Sequence, residues 1–182
     1  MADFQTAFKL LLKQEGGYSN DPTDRGGETY QGISRVHNPD WRGWAILADK
    51  ANLKKNGLVL ATLVETFYRG RYWDPVKCDL MPQYVANRML DIAVNMGVGR
   101  AGRILQEALN LLNRNGASWA DLTVDGDIGG KTLEALRYCI LKDADDLLAF
   151  IKALQAEHYM EVMRTDPSQE RFARGWIRRA FA

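Results

Sequence analysis

A carboxylic acid on the last turn of an otherwise apolar helix face is the first group in this chain with chemical potential. Counting Phe4, Phe8, Leu11 and Glu15 along residues 3–15 places Glu15 on the greasy stripe of an amphipathic helix, which Asp3 caps and Gly16-Gly17 stops. Partial burial disfavours an ionised carboxylate, and the negative end of the helix dipole acts in the same direction. The pKa of Glu15 is therefore expected above the ordinary glutamate value of about 4.3, which suits a general acid. Directly downstream, Asp21, Asp24 and Glu28 lie among the hydroxyls of Ser19, Thr23 and Thr29. This segment, 16–33, holds five glycines and a proline, a composition for tight turns and a short hairpin that can fold back over the helix end. Paired carboxylates then become geometrically possible. Glycoside hydrolysis asks for such a pair: a protonated acid at the leaving oxygen, and a second group that stabilises an oxocarbenium-like centre or activates water.

The elements that must hold these groups read as helices. Trp44 to Asn56 is expected as a helix stopped by Gly57, and Thr62-Leu-Val-Glu65 has the form of a capping box that starts another, running to about Tyr72 before Asp74-Pro75. Pro82 suits the first position of a helix carrying Val85, Met89, Ala93 and Met96 and ended by Gly97. The next, from about Val98, repeats Ile104, Leu105, Ala108, Leu109 and Leu112. After a second turn-rich stretch, helices are expected over 131–141 and 143–163, with a last short one from Asp166-Pro167 through Phe172 and Trp176. The expected fold is mainly α, a helical bundle with a short glycine-rich hairpin lining a cleft. Its expected division is a catalytic region over 1–118 and a helical region over 119–182 packed on it.

Composition narrows the function classes. The chain has 182 residues, 46% of them hydrophobic and 26% charged, the balance of one compact globular domain. Lys and Arg number 24 against 23 Asp and Glu, a net charge of +1 that offers no global footprint for nucleic acid. The first residues lack a basic n-region and carry Asp3, so no Sec signal is expected, and no run approaches the length of a membrane-spanning helix. Cys78 and Cys139 sit in no CxxC or CxxH setting and read as two buried thiols. Gly129-Gly-Lys-Thr132 imitates the end of a P-loop, but the required first glycine falls at Asp125. Asp121, Thr123, Asp125 and Gly126 imitate the opening of a calcium loop, yet Thr132 stands where a bidentate Glu belongs. His37 and His158 are far apart, and His158 continues the stripe of Leu147, Ile151 and Leu154, as a satisfied core histidine would. No metal and no cofactor is expected. Tyr18, Tyr30, Trp41, Trp44, Tyr72 and Trp73 crowd the same half of the sequence. Most are expected in the core, while Tyr18 and Tyr30 flank the glycine-rich loop and can stack on sugar faces. Asn95, just before Gly97, can reach an N-acetyl group. On the final helix Arg171, Arg174 and Arg178 form a local basic stripe, with Phe172 and Trp176 on another face that can dock to the body.

Taken together, EGGYSNDPTDRGGETYQGI over 15–33, RYWDP over 71–75 and DIAVNMGVGRA over 91–101 resemble glycoside hydrolase family 108, the muramidases of phage endolysins and of typhoid-toxin-type secretion. VDGDIGGKTLEAL over 124–136 and FARGWIRR over 172–179 resemble that family's C-terminal peptidoglycan-binding part. The resemblance implies a lysozyme-like fold and cleavage of the β-1,4 bond after N-acetylmuramic acid in peptidoglycan glycan strands, with the Glu of EGGY, here Glu15, as the acid. The spacing from Glu15 to Asp24 and Thr29 is also similar to the phage-lysozyme pattern of Glu, eight residues, Asp, five residues, Thr, although the second gap here is four residues. Asp24 and Thr29 are thus the candidates to position water or stabilise charge, and Tyr18, Tyr30 and Asn95 the candidates to bind sugar. The family also implies delivery to the wall by a phage holin or a dedicated secretion machinery. A lytic transglycosylase and a non-catalytic wall-binding protein are the rival readings, separated from the hydrolase by the products formed or by their absence.

Overall fold

The computed structural model describes residues 1–12, 17–20, 27–48 and 56–182. It is a mainly α, lysozyme-like fold with one small sheet. The first helix, α1 (Phe4–Leu12), is capped as its sequence predicts: Asp3 Oδ1 accepts from the Thr6 amide at 2.8 Å and from the Thr6 hydroxyl at 2.7 Å. Its buried residues are Phe4, Ala7, Phe8 and Leu11. Three two-residue strands follow, β1 (Tyr18–Ser19), β2 (Thr29–Tyr30) and β3 (Ile33–Ser34), in an antiparallel sheet of that order. Next come α2 (Gly43–Ala48) and α3 (Gly57–Tyr68). Gly57 is the first residue of α3, while residues 49–55 of the helix expected over Trp44–Asn56 lie outside the described ones; Thr62 lies inside α3, its hydroxyl donating back to the Leu58 carbonyl at 3.1 Å. The capping box at Thr62 is not used because Leu60 is already buried with Val64 and Tyr68 on one helical stripe, so packing extends the helix upstream of it. Glu65 instead accepts from Gln5 of α1. Past Tyr68 the helix widens into a π turn over Arg69–Trp73.

Pro82 stands one position earlier than expected, as the extended residue preceding α4 (Gln83–Met96). Asp3 and Gln83 exchange two hydrogen bonds, the Asp3 amide to Gln83 Oε1 at 2.7 Å and Gln83 Nε2 to the Asp3 carbonyl at 3.1 Å. Further along, Leu11 and Asp91 wall the same hollow of about 410 Å³. The two helices therefore run in the same direction, and the Asn95 end of α4 lies at the same end of the bundle as Leu12. Gly97, at φ 87°, turns the chain directly into α5 (Val98–Leu112). The remaining helices are α6 (Gly130–Cys139), α7 (Ala144–Thr165), a 3₁₀ turn over Pro167–Phe172 and α8 (Ala173–Phe181).

One core runs from Phe4 and Phe8 through Trp73, Met89, Ile92, Leu105 and Leu109 to Leu136, Leu147 and Ile151. A polar network crosses it. Buried Arg88 donates from Nη1 to Gln155 Oε1 at 3.3 Å and to the Arg179 carbonyl at 2.9 Å, and Arg179 Nε reaches Asp91 at 2.8 Å. A smaller cluster forms where Trp176 stacks on Tyr159 at 4.9 Å; Phe172 stacks on Trp176 in turn, yet it stays 41% exposed. Both cysteines are free and buried. Burial raises both thiols, Cys139 to about 11, so neither is a ready nucleophile. His158 is half-buried, not a core residue: its Nδ1 is shut from solvent with Glu161 Oε2 at 3.8 Å, and desolvation, then Arg100, hold its pKa below the usual histidine value.

The segment that imitates a P-loop and a calcium loop is a scaffold. Asp125 Oδ1 accepts from Gln106 Nε2 at 2.7 Å and from the Asp127 amide at 2.9 Å, while the Gly126 amide donates to Gln106 Oε1 at 2.8 Å. Gln106, 1% exposed, is thereby satisfied by a loop about twenty residues downstream, and these bonds hold the Asp125 carboxyl below the usual aspartate range. The loop presses on α5 so closely that Gly102 and Gly126 touch through their backbones.

Candidate active site

The site is built on the hairpin, whose register is set by two residues. Gln31 and Gly32 both take positive φ, 45° and 79°, the type I′ turn whose twist matches that of the flanking strands. Thr29 then pairs with Ser34 and Tyr30 with Ile33, while on the other side Tyr18 pairs with Tyr30 and Ser19 with Thr29. Because side chains alternate along a strand, Ser19, Thr29 and Ser34 form a row of hydroxyls on one face. Tyr18, Tyr30 and Ile33 occupy the other, where Glu28 and Arg35 continue the pattern at the open end.

The second face is the anchored one. Ile33 is wholly buried, Tyr30 lies 6.2 Å from the Trp41 ring, Trp41 meets Trp44 edge-on at 5.0 Å, and the Arg35 guanidinium sits 5.5 Å over Trp44. Glu28 accepts from the Tyr18 hydroxyl at 3.1 Å and from Arg35 Nη1 at 2.6 Å. Its carboxylate is thus committed to holding the sheet. Desolvation and the Glu28 carboxylate raise the Tyr18 phenol above its ordinary pKa, so this residue offers a neutral hydroxyl and a ring that is 52% exposed. Thr29 is half-buried and donates to the Gly27 carbonyl at 3.2 Å.

Two bonds hold the tip of the hairpin, one from the bundle and one to the residue before β1. The Tyr68 hydroxyl donates to the Gln31 carbonyl at 2.8 Å, and Tyr68 also packs on Phe8 of α1 at 5.4 Å. The Gln31 amide donates to the Gly17 carbonyl at 3.1 Å, which pins the chain two residues after Glu15 to the turn. Tyr68→Phe removes the first of these. It is expected to destabilise the protein by about 1 kcal/mol, and to accelerate amide exchange at Gln31 and Gly32 more than in α5, measured by hydrogen–deuterium exchange. Uniform acceleration would show that Tyr68 acts only through the core.

Glu15, Asp21 and Asp24 lie outside the described residues. Tyr18, Thr29 and Tyr30 all lie in the sheet, Thr29 on its hydroxyl face and the two tyrosines on the opposite one. Asn95 is exposed on the last turn of α4, its Nδ2 donating to the Asp91 carbonyl at 2.9 Å, and no hydrogen bond joins it to the sheet among the described residues. Sequence reasoning missed Arg35, the cross-strand partner of Glu28. The signal was present: a two-residue Gln-Gly turn at 31–32 mirrors 30 onto 33, 29 onto 34 and 28 onto 35.

Residues 8–97 match the family model described as Glycosyl hydrolase 108, and residues 100–181 match the one described as Predicted Peptidoglycan domain. With these two matches running nearly end to end, the chain belongs to the glycosyl hydrolase 108 family and is a glycoside hydrolase directed at peptidoglycan. Among solved structures it is similar to SagA of Brucella abortus: 28% identity, a TM-score of 0.66, and an alignment covering 97% of this chain and 88% of that one. No curated protein matches it in sequence. Among the described residues no helix is long and apolar enough to cross a membrane.

Proposed function

We propose that this hydrolase is an N-acetylmuramidase that cleaves the β-1,4 bond between N-acetylmuramic acid and N-acetylglucosamine, with Glu15 as general acid. The observation that carries the reading is the tether of Gly17, two residues after Glu15 in the sequence, to the hairpin tip of a sheet one face of which is a row of hydroxyls. Glu15 gives its proton to the glycosidic oxygen as the bond to the anomeric carbon breaks and positive charge develops there. Asp24 and Thr29, singly or together, orient the water or stabilise that charge; the water adds at the anomeric carbon, and its proton leaves to a carboxylate. Tyr18, Tyr30 and Asn95 contribute to sugar binding: the Tyr18 ring is open to stack, and Asn95 stands at the Leu12 end of the bundle. No cofactor takes part. The catalytic region extends to about residue 118 with 119–182 carried on it, and a holin or a dedicated secretion machinery brings the enzyme to the wall.

Mass spectrometry of muropeptides released from purified sacculi tests the bond assignment. Products ending in reducing N-acetylmuramic acid are expected. Ends in 1,6-anhydro sugar would replace the hydrolase by a transglycosylase, and reducing N-acetylglucosamine ends would move the cut to the other linkage.

A further inference from the structure

The outward side of α8 has no role in the hydrolase so far described, and its chemistry is specific. Inward, Ala180 is fully buried, Trp176 stacks on Tyr159, and Arg179 is held by Asp91. Outward, Ile177 and Phe181, 37% and 58% exposed, stand one helical turn apart. Arg174 and Arg178, also one turn apart and exposed, form a second row beside them, with no ion pair among the described residues. Phe172, 41% exposed, carries the Arg171 guanidinium 4.6 Å over its ring at the head of the same stretch. No Asp or Glu occurs from 171 to 182, in a chain whose net charge is only +1.

We infer that α8 lies on the surface of an anionic lipid bilayer, Ile177 and Phe181 entering the acyl boundary while Arg171, Arg174 and Arg178 meet acidic headgroups. Charge complementarity selects an anionic partner. The neighbouring apolar row selects a bilayer over a wall polyanion, because a polymer pairs with guanidinium groups yet leaves isoleucine and phenylalanine in water, whereas a membrane interface takes up both. This attachment is distinct from any membrane-spanning role, and it does not depend on which glycosidic bond is cut.

Co-sedimentation of the whole protein with phosphatidylcholine vesicles, with and without phosphatidylglycerol, tests it. Binding is expected only with phosphatidylglycerol and is expected to weaken in high salt. Arg174→Gln and Arg178→Gln should each weaken it about fivefold, the factor that ~1 kcal/mol per headgroup contact represents. Phe181→Ser should weaken it further, with the melting temperature and the hydrolysis of solubilised glycan unchanged in all three. Absence of binding at low salt, equal binding to neutral vesicles, or indifference to Phe181→Ser would each overturn the inference. So would arginine variants that keep vesicle binding while losing sedimentation with sacculi, which would make α8 a wall surface, or concentration-dependent dimerisation abolished by Phe181→Ser.

Discussion

Glu15→Gln is expected to lower the release of reducing ends from purified murein by about a thousandfold while leaving sedimentation with sacculi unchanged. The substitution keeps the size and hydrogen-bonding reach of the side chain but removes the proton that the leaving oxygen needs. Without that proton an alkoxide would have to depart unaided, and neither the hydroxyl row of Ser19, Thr29 and Ser34 nor the committed carboxylate of Glu28 supplies an acid in its place. The expected pattern is therefore a loss in turnover with little change in affinity, the signature of an interaction made only in the transition state. A Thr29→Val variant provides the contrast, since it removes a hydroxyl from the sheet face and leaves the acid intact. Turnover retained by Glu15→Gln would end the assignment of Glu15, and the glycoside hydrolase would need another acid.

The second large effect concerns folding. A Cβ added at Gly102 would lie 2.0 Å from the Gly126 carbonyl oxygen and 2.6 Å from its carbon, both backbone atoms of a loop that is itself tied to Gln106. Gly126 is itself crowded by the preceding turn of α5, because a Cβ there would meet the Gly99 carbonyl oxygen at 2.6 Å, and Gly126 also holds φ at +89°. Neither side has a flexible side chain to move aside. Gly102→Ala should therefore destabilise by about 3 kcal/mol and lower the thermal midpoint by roughly 10 °C, read by circular dichroism. Gly175→Ala is the control: nothing lies within 4 Å of the added carbon, the position is helical, and a small gain in stability is expected. A Gly102→Ala midpoint equal to that of the parent protein would mean that the 125–127 loop does not rest on α5 as described.

What could be read from the sequence divides by distance along the chain. The helical stripes of α1, α5 and α7 were legible because burial repeats every three to four residues, and Asp3, Gly97 and Asp166-Pro167 mark helix ends by chemistry confined to one turn. The hairpin was legible as a kind of segment but not in register, so Arg35 went unnoticed beside Glu28. Thr62 misled because a capping motif is local, whereas the burial of Leu60 that overrules it is tertiary. Arg88 was invisible for the same reason: a charged residue within α4 is buried only because Gln155 and Arg179, 67 and 91 positions away, come to meet it. Glu15 stood out because the spacing of Phe4, Phe8 and Leu11 continues to it, and the EGGY resemblance turned that acid into a candidate catalyst.

The first family match ends at the Gly97 turn and the second begins three residues later, yet the helix that follows the turn supplies Ala101, Ile104, Leu105, Ala108 and Leu109 to the same interior as Phe4, Phe8 and Met89. Two evolutionary modules thus share one solvent-excluded volume, and neither can be grafted elsewhere by cutting at their border. An engineer wishing to retarget the lytic half would have to redraw the seam along side chains, carrying α5 with the cutter and replacing only the surface it shows to α6 and α7.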